Sequence, residues 1–232
     1  MRGVLEGYNS RILFKSVNCD SRDKIPHHMK RTIFIVGNGP VENDLSAQID
    51  AADLVLRFNE PRVSRGMTGT KTDMLMLATS SKQMEQWIKD PAFINSDIVR
   101  NAPELLFAFH PSIIKRFHHQ PNILSRLKGR RADWTNEAID YFGRAGKKIR
   151  IMPSKDYFSV CEELGITPDQ MKKVFPSTGF FGIWLVLRKY SQPDWEIKIC
   201  GFSWEGWKRH DWAAERKWIE EKIAIGHLHK VG

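Results

Sequence analysis

Residues 32–73 read TIFIVGNGPVENDLSAQIDAADLVLRFNEPRVSRGMTGTKTD, and this stretch decides the fold. It opens with the apolar run Ile33-Phe34-Ile35-Val36, which stops at Gly37-Asn38-Gly39-Pro40. A short β-branched run bounded by glycine reads as a parallel strand buried on both faces. The two glycines let the backbone turn sharply at the strand's carboxyl end. A second run, Leu54-Val55-Leu56-Arg57-Phe58-Asn59, follows a polar segment, and the stretch closes on Gly69-Thr70-Lys71-Thr72-Asp73. Two parallel strands need a crossover between them, and the carboxyl ends of such strands are where nucleotides bind in open α/β sheets.

Outward from this stretch the chain keeps alternating. Strand-like runs fall at 32–36, 53–58, 73–78, 104–109, 148–152 and 196–200, and helix-like stretches at 81–89, 122–127, 135–144, 157–164, 180–190 and 212–224. Alternation of this kind predicts an α/β fold, a single doubly wound Rossmann-like domain with a parallel sheet. The domain is expected over 30–232. Residues 1–29 read as an N-terminal arm, with Ile12-Leu13-Phe14 as a short strand or a segment packed on the domain. The chain has 232 residues, of which 41% are hydrophobic and 27% charged, the proportions of an ordinary globular protein. Thirty-six basic residues against 27 acidic ones give a net charge of +9 and point to an anionic partner. Residues 111–134 are rich in arginine, lysine and histidine and suit a lid, an acceptor-side insertion or a solvated surface. Cys19, Cys161 and Cys200 are too few and too scattered for a disulfide framework or a zinc site, and Cys161 and Cys200 read as reduced core residues. No apolar run is long enough to span a bilayer and no leader is expected at the N-terminus.

Four features carry chemistry. Gly37-Asn38-Gly39 has two of the glycines of a dinucleotide fingerprint, with Glu42 where a third is expected and Glu60 near where a ribose-binding acid would sit. It equally suits a strand-to-helix turn with no ligand. Asp50, Asp53 and Asp73 are expected as structural ion pairs with Arg57 and Lys71 or as loop caps. Pro176-Ser177-Thr178-Gly179 precedes an apolar helix, so Ser177 or Thr178 is the expected N-cap, and the free N–H groups there make an anion site. Gly179 and Gly182 would allow close backbone approach. His210 follows the strand that runs through Cys200 into Gly201-Phe202, and a histidine on that rim can take a proton near neutral pH. No Asp-x-Asp is present, which argues for a donor that leaves without a metal, such as a cytidine monophosphate sugar.

Together, Val36-Gly37-Asn38-Gly39, Ile49-Asp50-x-x-Asp53-x-Val55-x-Arg57-Phe58-Asn59 and Gly69-x-Lys71-Thr72-Asp73 resemble the large sialyl motif of the eukaryotic-type sialyltransferases, glycosyltransferase family 29. Pro176-Ser177-Thr178-Gly179 resembles the small motif, and His210-x-x-x-x-Glu215 the very small one. The resemblance implies a GT-A-like variant of the Rossmann architecture over 30–232. It also implies a metal-independent, inverting transfer of a sialic acid or Kdo-like 2-keto sugar acid from a CMP donor to a glycan hydroxyl. It makes His210 the general base, with Glu215 beside it orienting the loop. Gly37, Asn38, Gly39, Asn59, Ser177, Thr178, Gly179 and Gly201 become donor contacts, and no metal or other cofactor is implied. The family's His-Tyr-Tyr-like motif is replaced here by residues 203–209, where Lys208 or Arg209 would supply the positive charge. The expected partners are the nucleotide-sugar donor and a glycan acceptor, with peripheral contact to an anionic membrane surface and no nucleic acid. The expected location is the cytoplasm, peripheral to the inner membrane. Two other classes fit some of the residues: an NAD-linked oxidoreductase, and a non-catalytic basic module that binds polyanions.

Overall fold

The computed structural model describes residues 30–61, 66–80, 82–190 and 193–232. The expected N-terminal arm, the strand at 12–14 and Cys19 lie outside the described residues. Seven strands form one sheet: β1 (Arg31–Val36), β2 (Leu54–Phe58), β3 (Met74–Leu77), β4 (Glu104–Phe107), β5 (Lys148–Ile151), β6 (Trp195–Cys200) and β7 (His229–Lys230). Their spatial order is β5-β4-β3-β2-β1-β6-β7, and every pairing is parallel. The fold is therefore α/β and Rossmann-like, as the alternation predicts. The chain steps outward from β1 to β5 and then returns to place β6 on the other side of β1. The order reverses there, and the carboxyl ends of β1 and β6 mark the switch point.

Register explains why β1 must be an unbroken apolar run. Ile33 pairs with Leu54 and Ile197, and Ile35 with Leu56 and Ile199. Successive side chains alternate between faces. Ile33, Ile35, Leu56 and Phe58 pack in the larger core with the helix α9 (Thr178–Lys189), while Phe34, Val36 and Val55 pack on the opposite face with α1 (Ser46–Asp50). α9 is apolar all round because it is buried: Phe180, Phe181, Ile183, Trp184 and Val186 are all inside. Each such side chain contributes about 1.5–3 kcal/mol. Gly182 lets this helix lie against β2, since a Cβ there would stand 2.4 Å from the Phe58 ring. The close approach read from Gly182 is thus to protein and not to a ligand.

Helices α2 (Lys82–Lys89), α7 (Thr135–Arg144), α8 (Ser154–Glu163) and α10 (Trp212–Ala224) fall where their periodicity predicts, within a few residues. The short helices α3 (Pro91–Asn95), α4 (Asp97–Asn101) and α5 (Pro111–Phe117) do not emerge from periodicity, because fewer than two turns give no repeat to detect. Two of them carry a local signal. Proline stands at the first turn of α3 and α5, after capping side chains from Asp90 and His110. The basic stretch 111–134 divides in two. α5 buries Ile113, Ile114 and Phe117, whereas α6 (Ile123–Leu127) buries nothing. Cys161 and Cys200 are free and buried, as expected.

Candidate active site

The carboxyl ends of the strands deliver one group of side chains to a common rim. Asn59 follows β2, Ala78 follows β3 and Phe109 follows β4. Thr178 opens α9, and Trp207, Arg209 and His210 lie between β6 and α10. With His118, His119, Arg131 and others they line a cavity of about 390 Å3. Three candidates from separate parts of the sequence, Asn59, Thr178 and His210, therefore share one cleft.

His210 is held in a defined state. Its Nδ1 lies 2.8 Å from the Phe175 carbonyl oxygen, an acceptor only, so Nδ1 carries the proton. The lone pair is left on Nε2, which makes no hydrogen bond among the described residues. The same segments are tied again by the Phe175 N–H donating to the Arg209 carbonyl at 2.9 Å. Trp207 and Trp212 stand edge-on to the imidazole at 5.2 and 4.9 Å. Burial lowers the imidazole's proton affinity below its ordinary value, with the Phe175 bond acting in the opposite direction. A neutral imidazole with a fixed tautomer and an open Nε2 is equipped to take a proton.

Glu215 sits in the first turn of α10, and its side chain reaches the start of α9. It is 0% exposed. Its two carboxylate oxygens accept from the Ser177 N–H at 2.6 Å and the Ser177 hydroxyl at 2.7 Å. The Ser177 Oγ in turn accepts from the Phe180 N–H at 3.0 Å, capping α9. Burial pushes the Glu215 carboxyl up to about 7, against the pull of both Ser177 bonds. A fully buried carboxylate cannot touch a substrate, so Glu215 positions the α9 terminus through Ser177. Because Ser177 is fully engaged, the Thr178 and Gly179 N–H groups remain as the open donors of the first turn among the described residues. Gly179 has a second role: a Cβ there would stand 3.0 Å from the Phe202 ring.

The glycine turn is built differently from a phosphate cradle. The Gly37 N–H donates to the Cys200 carbonyl at 2.9 Å, and the Gly39 N–H to the Gly201 carbonyl at 2.7 Å. A Cβ on Gly37 would stand 2.2 Å from the Gly201 oxygen, and Gly201 itself has φ +69°. These three glycines let the β1 and β6 termini cross at the switch point, and their side of the rim is not part of the 390 Å3 cleft. Gly201 instead lines a neighbouring cavity of about 270 Å3 with Pro40, Val41 and Phe202. No helix opens from the turn, since α1 begins only at Ser46. That removes the helix terminus a dinucleotide pyrophosphate would use. Asn38 Nδ2 donates to the Phe58 carbonyl at 3.0 Å, holding the β1 and β2 ends together. Asn59 has φ +50°, and its Oδ1 accepts from the Ala78 N–H at 3.0 Å, leaving its Nδ2 toward other partners.

The three aspartates cap backbone. Asp50 accepts from the Thr70 and Lys71 N–H groups, Asp53 from Thr32 and Asp73 from Val55. The ion pairs with Arg57 and Lys71 are not made. Arg57 is buried and donates to the carbonyls of Thr68, Gly69 and Lys71, while Lys71 donates to Ala52. Buried cations need acceptors, and loop carbonyls with no strand partner supply them here.

His118, in the basic stretch 111–134, is a cleft residue that the sequence pattern does not single out. It caps the end of α5, and its ring packs between Phe109 at 5.0 Å and Phe175 at 4.8 Å. Its Nε2 is fully buried without a hydrogen-bond partner among the described residues. Burial, and then the Arg209 charge, lower it to about 4, so it is neutral at physiological pH. The buried Ile113, Ile114 and Phe117 on the preceding helix are the signal that turns it inward. Of the two cations named for the missing motif, Arg209 lines the cleft, with its guanidinium over the Phe175 ring at 5.1 Å. Lys208 does not line it.

No protein-family model matches the chain. The chain is 29% identical over 209 residues to the urease operon 23 kDa accessory protein of Rhizobium meliloti, an alignment covering 87% of this chain and 93% of that protein. Among solved structures it is similar to a mammalian sialyltransferase in complex with Gal-beta-1-3GalNAc-ortho-nitrophenol. That superposition has a TM-score of 0.48 and 16% identity, and covers 87% of this chain and 69% of the other. It is also similar to the sialyltransferase CstII from Campylobacter jejuni in complex with a substrate analogue, cytidine-5'-monophosphate. Here the TM-score is 0.47 and the identity 14%, over 88% of this chain and 80% of the other.

Proposed function

We propose that this chain is an inverting glycosyltransferase that moves a sialic acid or Kdo-like 2-keto sugar acid from CMP to a glycan hydroxyl without a metal. The observation that carries this reading is the His210 imidazole, fixed through Nδ1 and open at Nε2, in a cleft shared with Asn59 and the α9 terminus. In the reaction, Nε2 takes the acceptor hydroxyl proton. The freed oxygen pair forms a bond to the anomeric carbon from the face opposite the donor phosphate. The bond from that carbon to the phosphate oxygen breaks, and CMP leaves with the electron pair. Negative charge then develops on the phosphate, where the Thr178 and Gly179 N–H groups and the Arg209 guanidinium favour it. Asn59 Nδ2 serves as a donor contact.

The test is a comparison of CMP, UMP, GMP and NAD by thermal shift and calorimetry. A ligand at 100 times its Kd adds roughly 2.7 kcal/mol of stability. CMP is expected to stabilise the protein most. Equal shifts for all four, or a preference for NAD, would overturn the cytidine reading.

A second reading draws on the Rhizobium meliloti relative, whose name associates it with urease. An accessory protein without nucleotide chemistry would show no CMP-specific stabilisation, so the same titration separates the two.

A further inference from the structure

Among the described residues, the three most exposed large apolar side chains are Ile123 (77%), Leu124 (72%) and Leu127 (79%), and all belong to α6. Offsets of one and four residues place them within an arc of about 100° on one helix face. The helix is held by its own local bonds. Asn122 Oδ1 accepts from the Ser125 N–H at 2.8 Å, and Arg126 Nε donates to the Pro121 carbonyl at 2.9 Å. α6 is thus a formed element whose apolar face is left largely exposed.

Its surroundings are one-signed. Residues 111–132 contain Lys115, Arg116, Arg126, Lys128, Arg130 and Arg131 and no aspartate or glutamate. All six are exposed. Arg131 pairs with Glu137, and none of the other five is ion-paired among the described residues. Lys115, Arg126, Arg130 and Arg131 also line a groove of about 640 Å3, together with Asp133.

We propose that α6 and this basic collar dock the protein on an anionic phospholipid bilayer. Ile123, Leu124 and Leu127 enter the boundary between headgroups and acyl chains, and the five unpaired cations meet lipid phosphates. Two considerations favour a bilayer over a protein partner. A stable protein interface needs roughly 800 Å2 on each side, more than a five-residue helix can offer. Membrane attachment needs only a few inserted aliphatic side chains together with electrostatic attraction, which is what this surface combines. The His210 cleft adjoins this surface, because Arg131 and Ala132 line both the groove and the cleft. The proposal stands apart from the transferase reading and survives its failure.

The test is sedimentation of the full chain with vesicles of phosphatidylcholine alone or mixed with phosphatidylglycerol. The mixed vesicles are expected to bind it and the neutral ones not. The triple variant I123S/L124S/L127S is expected to bind at least about tenfold more weakly. Its melting temperature should be unchanged, because α6 buries nothing. The variant K128E/R130E leaves the apolar face intact and is expected to lose the preference for anionic vesicles. Failure of the wild type to bind mixed vesicles would overturn the proposal, as would a triple variant that binds them normally. A concentration-dependent dimer abolished by the triple variant, with no vesicle binding, would also overturn it and assign the face to a second copy of the chain.

Discussion

His210 and Glu215 are five residues apart, yet one faces the cleft and the other is sealed beneath it. Their variants should therefore fail in different ways. His210→Ala removes the group at the cleft and is expected to lower turnover by roughly 10²–10⁴-fold while CMP affinity stays near the wild-type value. Because burial lowers the His210 pKa, the acid limb of the wild-type rate profile should fall below the ordinary 6.5 of histidine, and that limb should be absent from the residual rate of the variant. Near-normal turnover in His210→Ala would remove the base assignment. Glu215 is tested through stability. Its folded pKa of about 7 lies above the ordinary 4.5 of a glutamate, so the folded state holds a proton that the unfolded state has released between these values. Its contribution is then fully present below pH 4.5 and is lost as pH rises through 7, by up to about 3 kcal/mol. Glu215→Gln cannot ionise and should flatten this part of the melting-temperature profile. A pH profile identical to the wild type's would show that the carboxyl does not titrate there.

At the scale of elements, the crossing of β1 and β6 is the tightest joint near the site. Gly37 sits where a Cβ would meet the Gly201 carbonyl at 2.2 Å, and that carbonyl belongs to backbone that cannot rotate away. Gly37→Ala should therefore destabilise the protein by about 2–4 kcal/mol with no nucleotide present, as overpacking plus a displaced strand end. Melting curves of the free protein check this. A variant that melts like the wild type and only binds CMP poorly would return Gly37 to the donor site. Most of residues 32–73 is likewise committed to holding the fold. Asp50, Asp53, Asp73 and Arg57 spend their hydrogen bonds on the backbone of 30–73, and Asn59 is what the stretch adds to the cleft.

For the whole molecule, the +9 net charge is unevenly placed, since 111–132 alone carries six cations and no acid. Two binding modes should therefore respond to salt differently. The proposed vesicle attachment would rest on many exposed charges and should fall steeply with ionic strength. On the proposed reading, CMP in the cleft would present one phosphate to a helix terminus and one arginine, so its affinity should change far less. Comparable salt slopes for the two would mean that the cleft acts only as part of a general polyanion surface. Chelator is expected to leave CMP affinity and transfer intact, and loss of both in EDTA with recovery in manganese would overturn the metal-free chemistry. Among the described residues no helix is long and apolar enough to cross a membrane.

Local sequence was enough to indicate a parallel sheet and six of its seven strands. β1 is apolar at every position that register pairs with β2, and β2 is apolar there except at Arg57, so the pattern is legible without coordinates. The α9 cap was also legible to within Ser177 or Thr178, because a hydroxyl before an apolar helix is a local signal, and the structure selects Ser177. The destinations of long-range partners were not. That Glu215 clamps Ser177 depends on α9 and α10 meeting across 38 residues. That Gly37 answers to Gly201 depends on β6 returning beside β1. His118 turned inward for the same reason: its neighbours in sequence are basic and solvated, while its neighbours in space, Phe109 and Phe175, come from the end of β4 and the approach to α9. Propensity and pattern act over a few residues, whereas desolvation and hydrogen-bond satisfaction depend on whatever the fold brings within a few ångströms, and only the tertiary structure specifies that.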